Sequence, residues 1–222
     1  MHRTPEMANE GTAYGWLLVV SSILATGFAF MHPHLSSREL APVMHELAAG
    51  ALFNGWIHGV LIALYLCLAT GFVGLSRRLG FERPAATAGL VFYVAGTLAM
   101  TGAAVINGFA LGIFAGRYPK IGAEQTAALG SAINMAGSIA AVWAGIGAAA
   151  TSAAILAWSS LLVRRAGGLR VIGAGGILLG LATTAMLVTG TLILNVHGFL
   201  LLVVSQAVWT IAVGLALVRD QI

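Results

Sequence analysis

The sequence contains very few charged side chains. Eleven Lys and Arg and seven Asp and Glu make up 8% of the 222 residues, whereas a soluble domain carries about 25%. Hydrophobic residues make up 59%, and the mean hydropathy is +0.94. A soluble domain of this size cannot bury so much apolar surface, because its core grows more slowly than its chain. The composition therefore indicates an integral membrane protein and excludes an intrinsically disordered chain.

Cysteine and lysine are also nearly missing, and each scarcity excludes a class of protein. Cys67 is the single cysteine, so the sequence is not a disulfide scaffold. Lys120 is the single lysine and lies between hydrophobic runs, which excludes a retinal-type lysine within a span. The sequence has no HExxH, P-loop or dinucleotide fingerprint. The basic residues are scattered instead of forming a patch with aromatic residues, so no nucleic-acid partner is expected.

Six hydrophobic segments without Asp, Glu, Lys or Arg are long enough to cross a bilayer, which takes about 20 residues. The predicted spans are 14–31, 48–75, 85–116, 138–163, 171–193 and 197–218. The last two form one long run, which we divide at the polar residues near Asn195. The predicted fold class is an all-α integral membrane protein, with one six-transmembrane-helix bundle over residues 1–222.

Two connections between the spans are predicted to form short outer interfacial helices. In segment 36–47, Ser36 and Glu39 have the spacing of a capping box at a helix start. Residues 122–163 contain no proline, and as one helix they would extend about 60 Å, roughly twice the hydrocarbon thickness. We therefore expect a separate helix over 122–136, with a turn near Gly137.

The basic residues predict how the bundle is oriented in the membrane. With both termini inside, the inner segments contain eight of them and the outer segments contain three. The inner ones are Arg3, Arg77, Arg78, Arg83, Arg164, Arg165, Arg170 and Arg219, and the outer ones are Arg38, Arg117 and Lys120. Because cytoplasmic loops are enriched in Lys and Arg, both termini are expected to be cytoplasmic, in the inner (plasma) membrane of a bacterial-type cell.

Two inner loops have similar sequences. Arg77, Arg78, Gly80 and Arg83 match Arg164, Arg165, Gly167 and Arg170 at an offset of 87 residues. Three tandem helical hairpins derived from a duplicated ancestor would explain this match. Inner loops also converge on arginine and glycine without duplication, so both explanations stay open.

Small and aromatic residues predict how the spans pack and where they meet the membrane surface. The span 138–163 is dominated by Gly, Ala, Ser and Thr, so it is expected to pack closely against neighbouring helices. Gly176 and Gly180 have the spacing of a close helix contact. Aromatic side chains near the span ends are expected to be interfacial anchors: Tyr14, Trp16 and Trp158 on the inner side and Tyr118 on the outer side.

Histidine is concentrated near the outer ends of the predicted spans. If these ends cluster, imidazoles and one carboxylate would form a transition-metal site from His32, His34, His45, Glu46 and His197. Copper or zinc is favoured over haem, because no second span has a histidine at the depth of His58, and Met31 and Met44 would add soft donors for copper. The structural alternative is that these histidines simply lie at the membrane interface.

A polar stripe follows one face of the second span. Asn54, His58 and Tyr65 are four and seven residues apart, so they share a helix face that should point into the bundle. Asn107 and Asn195 are expected at a similar depth on other helices. The stripe predicts a ligand-binding site, and its structural alternative is a neutral imidazole that fixes helix packing.

These patterns lead to one favoured function and two alternatives. The favoured function is an outward-facing, histidine-rich pocket that binds a transition metal, haem or a small ligand, within a membrane redox complex. The first alternative is an uncoupled transporter or channel for a small neutral solute. The second is a structural subunit whose small-residue faces pack against partner membrane subunits or a second copy of the chain. Besides the lipid bilayer, the sequence identifies no partner.

Overall fold

In the part of the chain that the structure describes, helices are the regular elements and no strand is present. A computed structural model describes residues 5–33, 36–37, 39–118, 123–193 and 196–222. Its elements are α1 (Pro5–Phe30), α2 (Leu40–Ala49), α3 (Ala51–Leu79), α4 (Pro84–Val105), a π-helical segment (Ile106–Ala110), α5 (Leu111–Gly116), α6 (Ala123–Leu162), α7 (Gly168–Val188) and α8 (Val196–Val218). Within these ranges, six helical stretches are long and apolar enough to cross a membrane. The predicted six-helix, multi-pass membrane fold is confirmed.

The six long helices pack in a ring. Its order is α3, α1, α8, α7, α6 and α4, and α4 closes the ring against α3. The first two predicted hairpins pack as pairs, whereas α7 packs mainly on α6 and α8 mainly on α1. The bundle has a histidine end, where α1 and α5 finish and α3 begins, and an arginine end, where α3 and α6 finish and α4 begins.

The separate outer helix expected over 122–136 is wrong. Residues 123–162 form the single helix α6, which is 40 residues and therefore about 60 Å long. Alanine is the best helix former, and a lone glycine in a helix costs only about 1 kcal/mol relative to alanine. A Cβ placed on Gly137 meets nothing within 4 Å, so no packing forces the chain to turn there. Composition thus favours a continuous helix over the predicted turn.

The other predicted boundaries need smaller corrections. A short helix near 36–47 is confirmed as α2, but the capping box is wrong, because Ser36 donates from its backbone N–H to the Glu46 carboxylate at 2.8 Å. Glu39 precedes α2 and makes no side-chain capping bond. The fifth span ends at Val188 and not at 193, because the chain turns at Gly190 with a φ of +70° that favours glycine.

Four aromatic side chains from four helices form the centre of the bundle. Trp158 of α6 stacks on Phe72 of α3, with ring centroids 4.5 Å apart and planes 12° apart. Trp209 of α8 lies on the same stack, and Tyr93 of α4 packs against Phe72 at 4.3 Å. Trp158 is 0% exposed, so its prediction as an interfacial anchor is wrong.

The indole N–H of Trp158 explains why so amphipathic a side chain is buried. It donates to Ser76 Oγ at 2.9 Å, and Ser76 in turn donates to the carbonyl of Ala86 at 3.1 Å. Buried indole N–H groups usually have such a partner. The aromatic stack is therefore fixed by packing and by a hydrogen-bonded chain between α6, α3 and α4.

Glycines allow α6 and α7 to approach closely, as predicted. A Cβ on Gly176 would lie 2.0 Å from Ser159 Oγ, and a Cβ on Gly180 would lie 2.5 Å from Leu156. Both neighbours belong to α6. The small side chains of α6 are likewise packed against α4 and α7.

The substitution Gly89→Ala tests the close packing at Trp158. Its new Cβ would lie 2.6 Å from the rigid, buried indole, so we expect the free energy of unfolding to fall by about 1–3 kcal/mol. Gly137→Ala is the matched control, since open space surrounds that position, and it should be neutral or stabilising by up to about 1 kcal/mol. Thermal unfolding in detergent measures both. A Gly137→Ala protein as destabilised as Gly89→Ala would contradict the continuity of α6.

Candidate functional site

His32 lies immediately after α1 and continues the buried face of that helix. Buried positions of α1 recur at alternating spacings of four and three: Gly11, Gly15, Leu18, Ser22, Ala25 and Ala29. His32 is the next position in this series. Its backbone N–H donates to the carbonyl of Ala29 at 3.3 Å, and Pro33, which follows, disfavours helical geometry at His32. The imidazole is thereby directed into the bundle.

His58 meets His32 from the neighbouring helix α3. His58 is the eighth residue of α3, about 10 Å from the helix start, and is only 4% exposed. The Nε2 atoms of the two imidazoles are 3.2 Å apart. The rings meet edge to face, with centroids 4.8 Å apart and planes at 70°. Two imidazoles from different helices therefore converge on one point.

The other nitrogen of each ring is already used. His32 Nδ1 donates to the carbonyl of Pro33 at 2.8 Å, and His58 Nδ1 donates to the carbonyl of Asn54 at 2.9 Å. A carbonyl oxygen only accepts, so both Nδ1 atoms carry a proton. Each neutral imidazole has one ring proton, which leaves both Nε2 atoms with lone pairs. There are three contacts: one from each Nδ1 to a carbonyl, and one between the two Nε2 atoms. Three hydrogen bonds would need three ring protons, but two neutral imidazoles have only two.

Burial affects which charge the pair can carry. Removal from water lowers the pKa of His32 below its ordinary value, although the hydrogen bond to Pro33 acts in the opposite direction. A neutral His32 is therefore favoured near neutral pH. The third proton that the contacts require would give the pair one positive charge, and burial disfavours that charge.

A π-helical segment supports the pair from the side of α4. In this segment, Ile106–Ala110, the α-helical bonding pattern is interrupted, and the carbonyl of Asn107 accepts a bond from Asn54 Nδ2 at 2.7 Å. Gly108 lies against His58, because a Cβ there would be 2.4 Å from the Cβ of the histidine. π-Helical turns are often found at functional sites. Here the turn couples α4 to the residue that also holds the His58 ring.

The pair opens into a cavity of about 270 Å³. Its polar lining comes from His32, His58, Tyr65 and Asn107, and Met100 adds a thioether. The remaining lining side chains are alanines, Leu61 and Phe199, so the walls are mostly apolar. The volume is slightly below the range of drug-sized ligand pockets and suits an ion or a small molecule.

The polar stripe predicted on α3 is therefore found at this cavity. His58, Tyr65 and Asn107 line it, and Asn54 binds Asn107. Asn54 Oδ1 is buried and has no hydrogen-bond partner among the described residues. Asn195 lies outside those residues.

The predicted outer metal cluster is not assembled in the described part of the chain. His45 and His197 are exposed, and Glu46 accepts hydrogen bonds from Ser36. Over the described ranges, no three His, Cys, Asp or Glu side chains lie close enough to hold a metal ion. His34 lies outside these ranges. Of the five predicted ligands, His32 is the one that lines the cavity.

A second cavity of about 60 Å³ lies deeper in the bundle and shares Tyr65 and Met100 with the first. Side chains with hydroxyl or amide groups dominate its polar lining: Ser22, Thr26, Tyr65, Tyr93, Thr97, Thr151, Gln206 and Thr210. Gln206 Nε2 donates to Thr151 Oγ1 at 3.1 Å. The space is equivalent to about two water molecules in the liquid. Phe72 and Tyr93 of the aromatic stack also line this cavity.

Sequence reasoning missed the contact between His32 and His58. The alternating four-and-three spacing of Gly11, Gly15, Leu18, Ser22, Ala25 and Ala29 places His32 on the same face of α1, but this spacing does not indicate which helix the face contacts. Met100 also lines the cavity. Met31 is exposed and Met44 is buried on α2, and neither lines the cavity.

The substitution Asn54→Leu tests the link between α3 and the π-helical segment. It removes the donor to the carbonyl of Asn107, and an unpaired buried carbonyl costs about 1–3 kcal/mol. We expect faster amide hydrogen exchange over 106–110 and a lower thermal unfolding temperature. Asn134→Leu is the control, because Asn134 is exposed on α6. Unchanged exchange in Asn54→Leu would show that the bond does not stabilise the π-helical segment.

The site thus consists of two facing imidazoles, a thioether, two amide side chains and a small, largely apolar cavity between α1, α3 and α4. Function is inferred from this geometry. Comparison with known proteins found no matching family model, no matching curated protein and no matching solved structure.

Proposed function

We propose that this membrane protein binds one copper(I) ion between His32 and His58. In this proposal the histidine end faces outwards from the inner membrane, and both termini are cytoplasmic. The observation that carries the proposal is the meeting of two Nε2 lone pairs at 3.2 Å, with both Nδ1 atoms already bonded to carbonyls. Two facing lone pairs repel each other unless a cation lies between them. The carbonyls of Pro33 and Asn54 accept from the Nδ1 atoms and so orient both rings, as partners of metal-bound histidines do.

The spacing of the two nitrogens supports an ion held by adjacent ligands. Metal–nitrogen bonds of 2.0–2.1 Å at a tetrahedral ion place two nitrogens about 3.3 Å apart, and the observed distance is 3.2 Å. Axial ligands on opposite faces of a haem would be about 4 Å apart, twice the bond length. The geometry therefore favours an ion over a bis-histidine haem.

The chemistry of the donors favours copper(I) over a divalent ion. Imidazole binds zinc and copper alike, whereas a thioether such as that of Met100 selects soft copper(I). No carboxylate or thiolate lines the cavity among the described residues, so a divalent ion would leave two uncompensated charges in apolar surroundings. A monovalent ion has the smaller desolvation penalty.

Metal analysis of purified protein tests this proposal. Detergent-purified protein loaded with copper(I) under reducing conditions, and then freed of excess metal, should retain one copper per chain. His32→Ala or His58→Ala removes a ligand and should weaken binding by roughly tenfold or more. His45→Ala is the matched control, because His45 is an exposed histidine on α2, and it should bind copper as the unmodified protein does.

Several results would contradict copper binding. Less than roughly a tenth of a copper per chain in the loaded protein would reject the site. Equal losses in His45→Ala and His58→Ala would indicate nonspecific binding. A Soret band in the visible spectrum would favour haem, and zinc bound more tightly than copper would overturn the assignment of the ion.

A passage for small neutral solutes is the second candidate function. The observation that favours it is that the two cavities share Tyr65 and Met100 in their linings, so a movement of these side chains would join them into a route from the histidine end into the bundle. Hydroxyl and amide side chains can replace the hydration of a neutral polar solute. The aromatic stack borders this route, so passage requires that stack to move.

Solute uptake separates this candidate from copper binding. Proteoliposomes should take up glycerol several-fold faster than empty liposomes, and replacing both hydroxyls in Thr97→Val with Thr151→Val should reduce the rate. Thr70→Val is the control, since Thr70 is exposed on α3 and donates only to its own helix at Leu66. Uptake at the rate of empty liposomes would reject the passage.

A further inference from the structure

A third cavity lies at the opposite, arginine end of the bundle. It has a volume of about 610 Å³ and is bounded by the start of α4 and the end of α6. Three arginines line it, Arg83, Arg164 and Arg165, together with Ser160 and the apolar side chains of Ala85 and Leu161. The cavity therefore combines a strongly basic rim with an apolar wall.

The charges of this cavity are poorly matched by carboxylates. Elsewhere at the arginine end, Arg78 pairs with Asp220 at 2.6 Å and Arg77 with Glu10 at 3.7 Å. At the cavity, Arg83 Nε lies 3.9 Å from Glu82 Oε1, near the limit of an ion pair, and no other described carboxylate pairs with Arg83. No acidic side chain lines the cavity in the described part of the chain. Arg164 and Arg165 thus present guanidinium groups that no described carboxylate neutralises.

The depth of the cavity corresponds to the membrane surface. α4 begins at Pro84 and α6 ends at Leu162, and both belong to candidate spans, so the cavity lies where the hydrocarbon gives way to headgroups. The N-terminus of α4 adds the positive end of a helix dipole. Guanidinium groups bind phosphate oxygens through paired hydrogen bonds. The apolar wall of Ala85 and Leu161 can contact acyl chains.

We propose that this cavity binds the headgroup of an anionic phospholipid, with Arg83, Arg164 and Arg165 contacting its phosphate. Basic pockets between membrane helices bind such headgroups in other proteins. The inference is independent of copper binding, because the two sites lie at opposite ends of the bundle.

Native mass spectrometry tests the proposal on the full chain in neutral detergent. With added phosphatidylglycerol the protein should retain one bound lipid, and phosphatidylcholine should compete poorly. The triple variant R83Q/R164Q/R165Q should bind phosphatidylglycerol at least about tenfold more weakly, since each basic residue near a membrane surface contributes to attraction of anionic lipids. R77Q is the matched control, because Arg77 is exposed at the same end but does not line the cavity.

Each alternative outcome overturns the assignment. Equal retention of phosphatidylglycerol by the triple variant and the unmodified protein would show that the three arginines do not hold the lipid. If phosphatidylcholine bound as tightly as phosphatidylglycerol, the negative charge of the headgroup would not determine binding. If inorganic phosphate protected the protein from thermal unfolding as well as phosphatidylglycerol did, the site would be one for a free anion. If the triple variant does not fold, R164Q and R165Q are compared singly, and binding equal to that of R77Q in both would reject the site.

Discussion

The hydrocarbon interior of a bilayer contains no water that could hydrogen-bond to a protein, and this constraint determines where polar side chains lie in the bundle. Several hydroxyl groups in the spans donate to a carbonyl of their own helix, as Thr26 does to Ser22 and Thr210 to Gln206. In the described residues, the buried side-chain atoms left unpartnered are Asn54 Oδ1 beside the histidine pair, and Ser159 Oγ and Trp209 Nε1, both close to Gly176. The pair itself is one proton short. A buried polar group without a partner is costly in hydrocarbon, so these three atoms and the histidine pair are the polar groups whose placement costs most.

The spans could be predicted because membrane insertion depends on the composition of each local segment, which the sequence gives directly. The length of helix α6 was not predicted correctly. The expected turn at Gly137 was based on membrane thickness, whereas the many alanines and the lack of proline favour an unbroken helix. Trp158 was misplaced for a related reason. Its position near a span end is typical of an interfacial anchor, but Ser76 on another helix gives the indole N–H a buried partner.

In the candidate site too, the features set within one helix could be predicted, whereas contacts between different helices could not. Asn54, His58 and Tyr65 were predicted together because one helix period places them on one face. The contact between His32 and His58 depends on how α1 crosses α3, and residue spacing on either helix does not specify it. The expected outer cluster assumed that all outer histidines converge, but His45 and His197 are exposed in the structure.

Because of the π-helical segment, the geometry of the site depends on the number of residues in 106–110. Such a segment contains one residue more than an α-helix would use at that point. Loss of one residue from 106–110 would let the helix close into regular α form, while α5 keeps nearly the same face, because the wide turn already accommodates the extra residue. The carbonyl of Asn107 would then return to its own helix, and Asn54 would lose its acceptor. The hydrogen bond that Asn54 donates therefore depends on the number of residues in this stretch as well as on the side chains of the site.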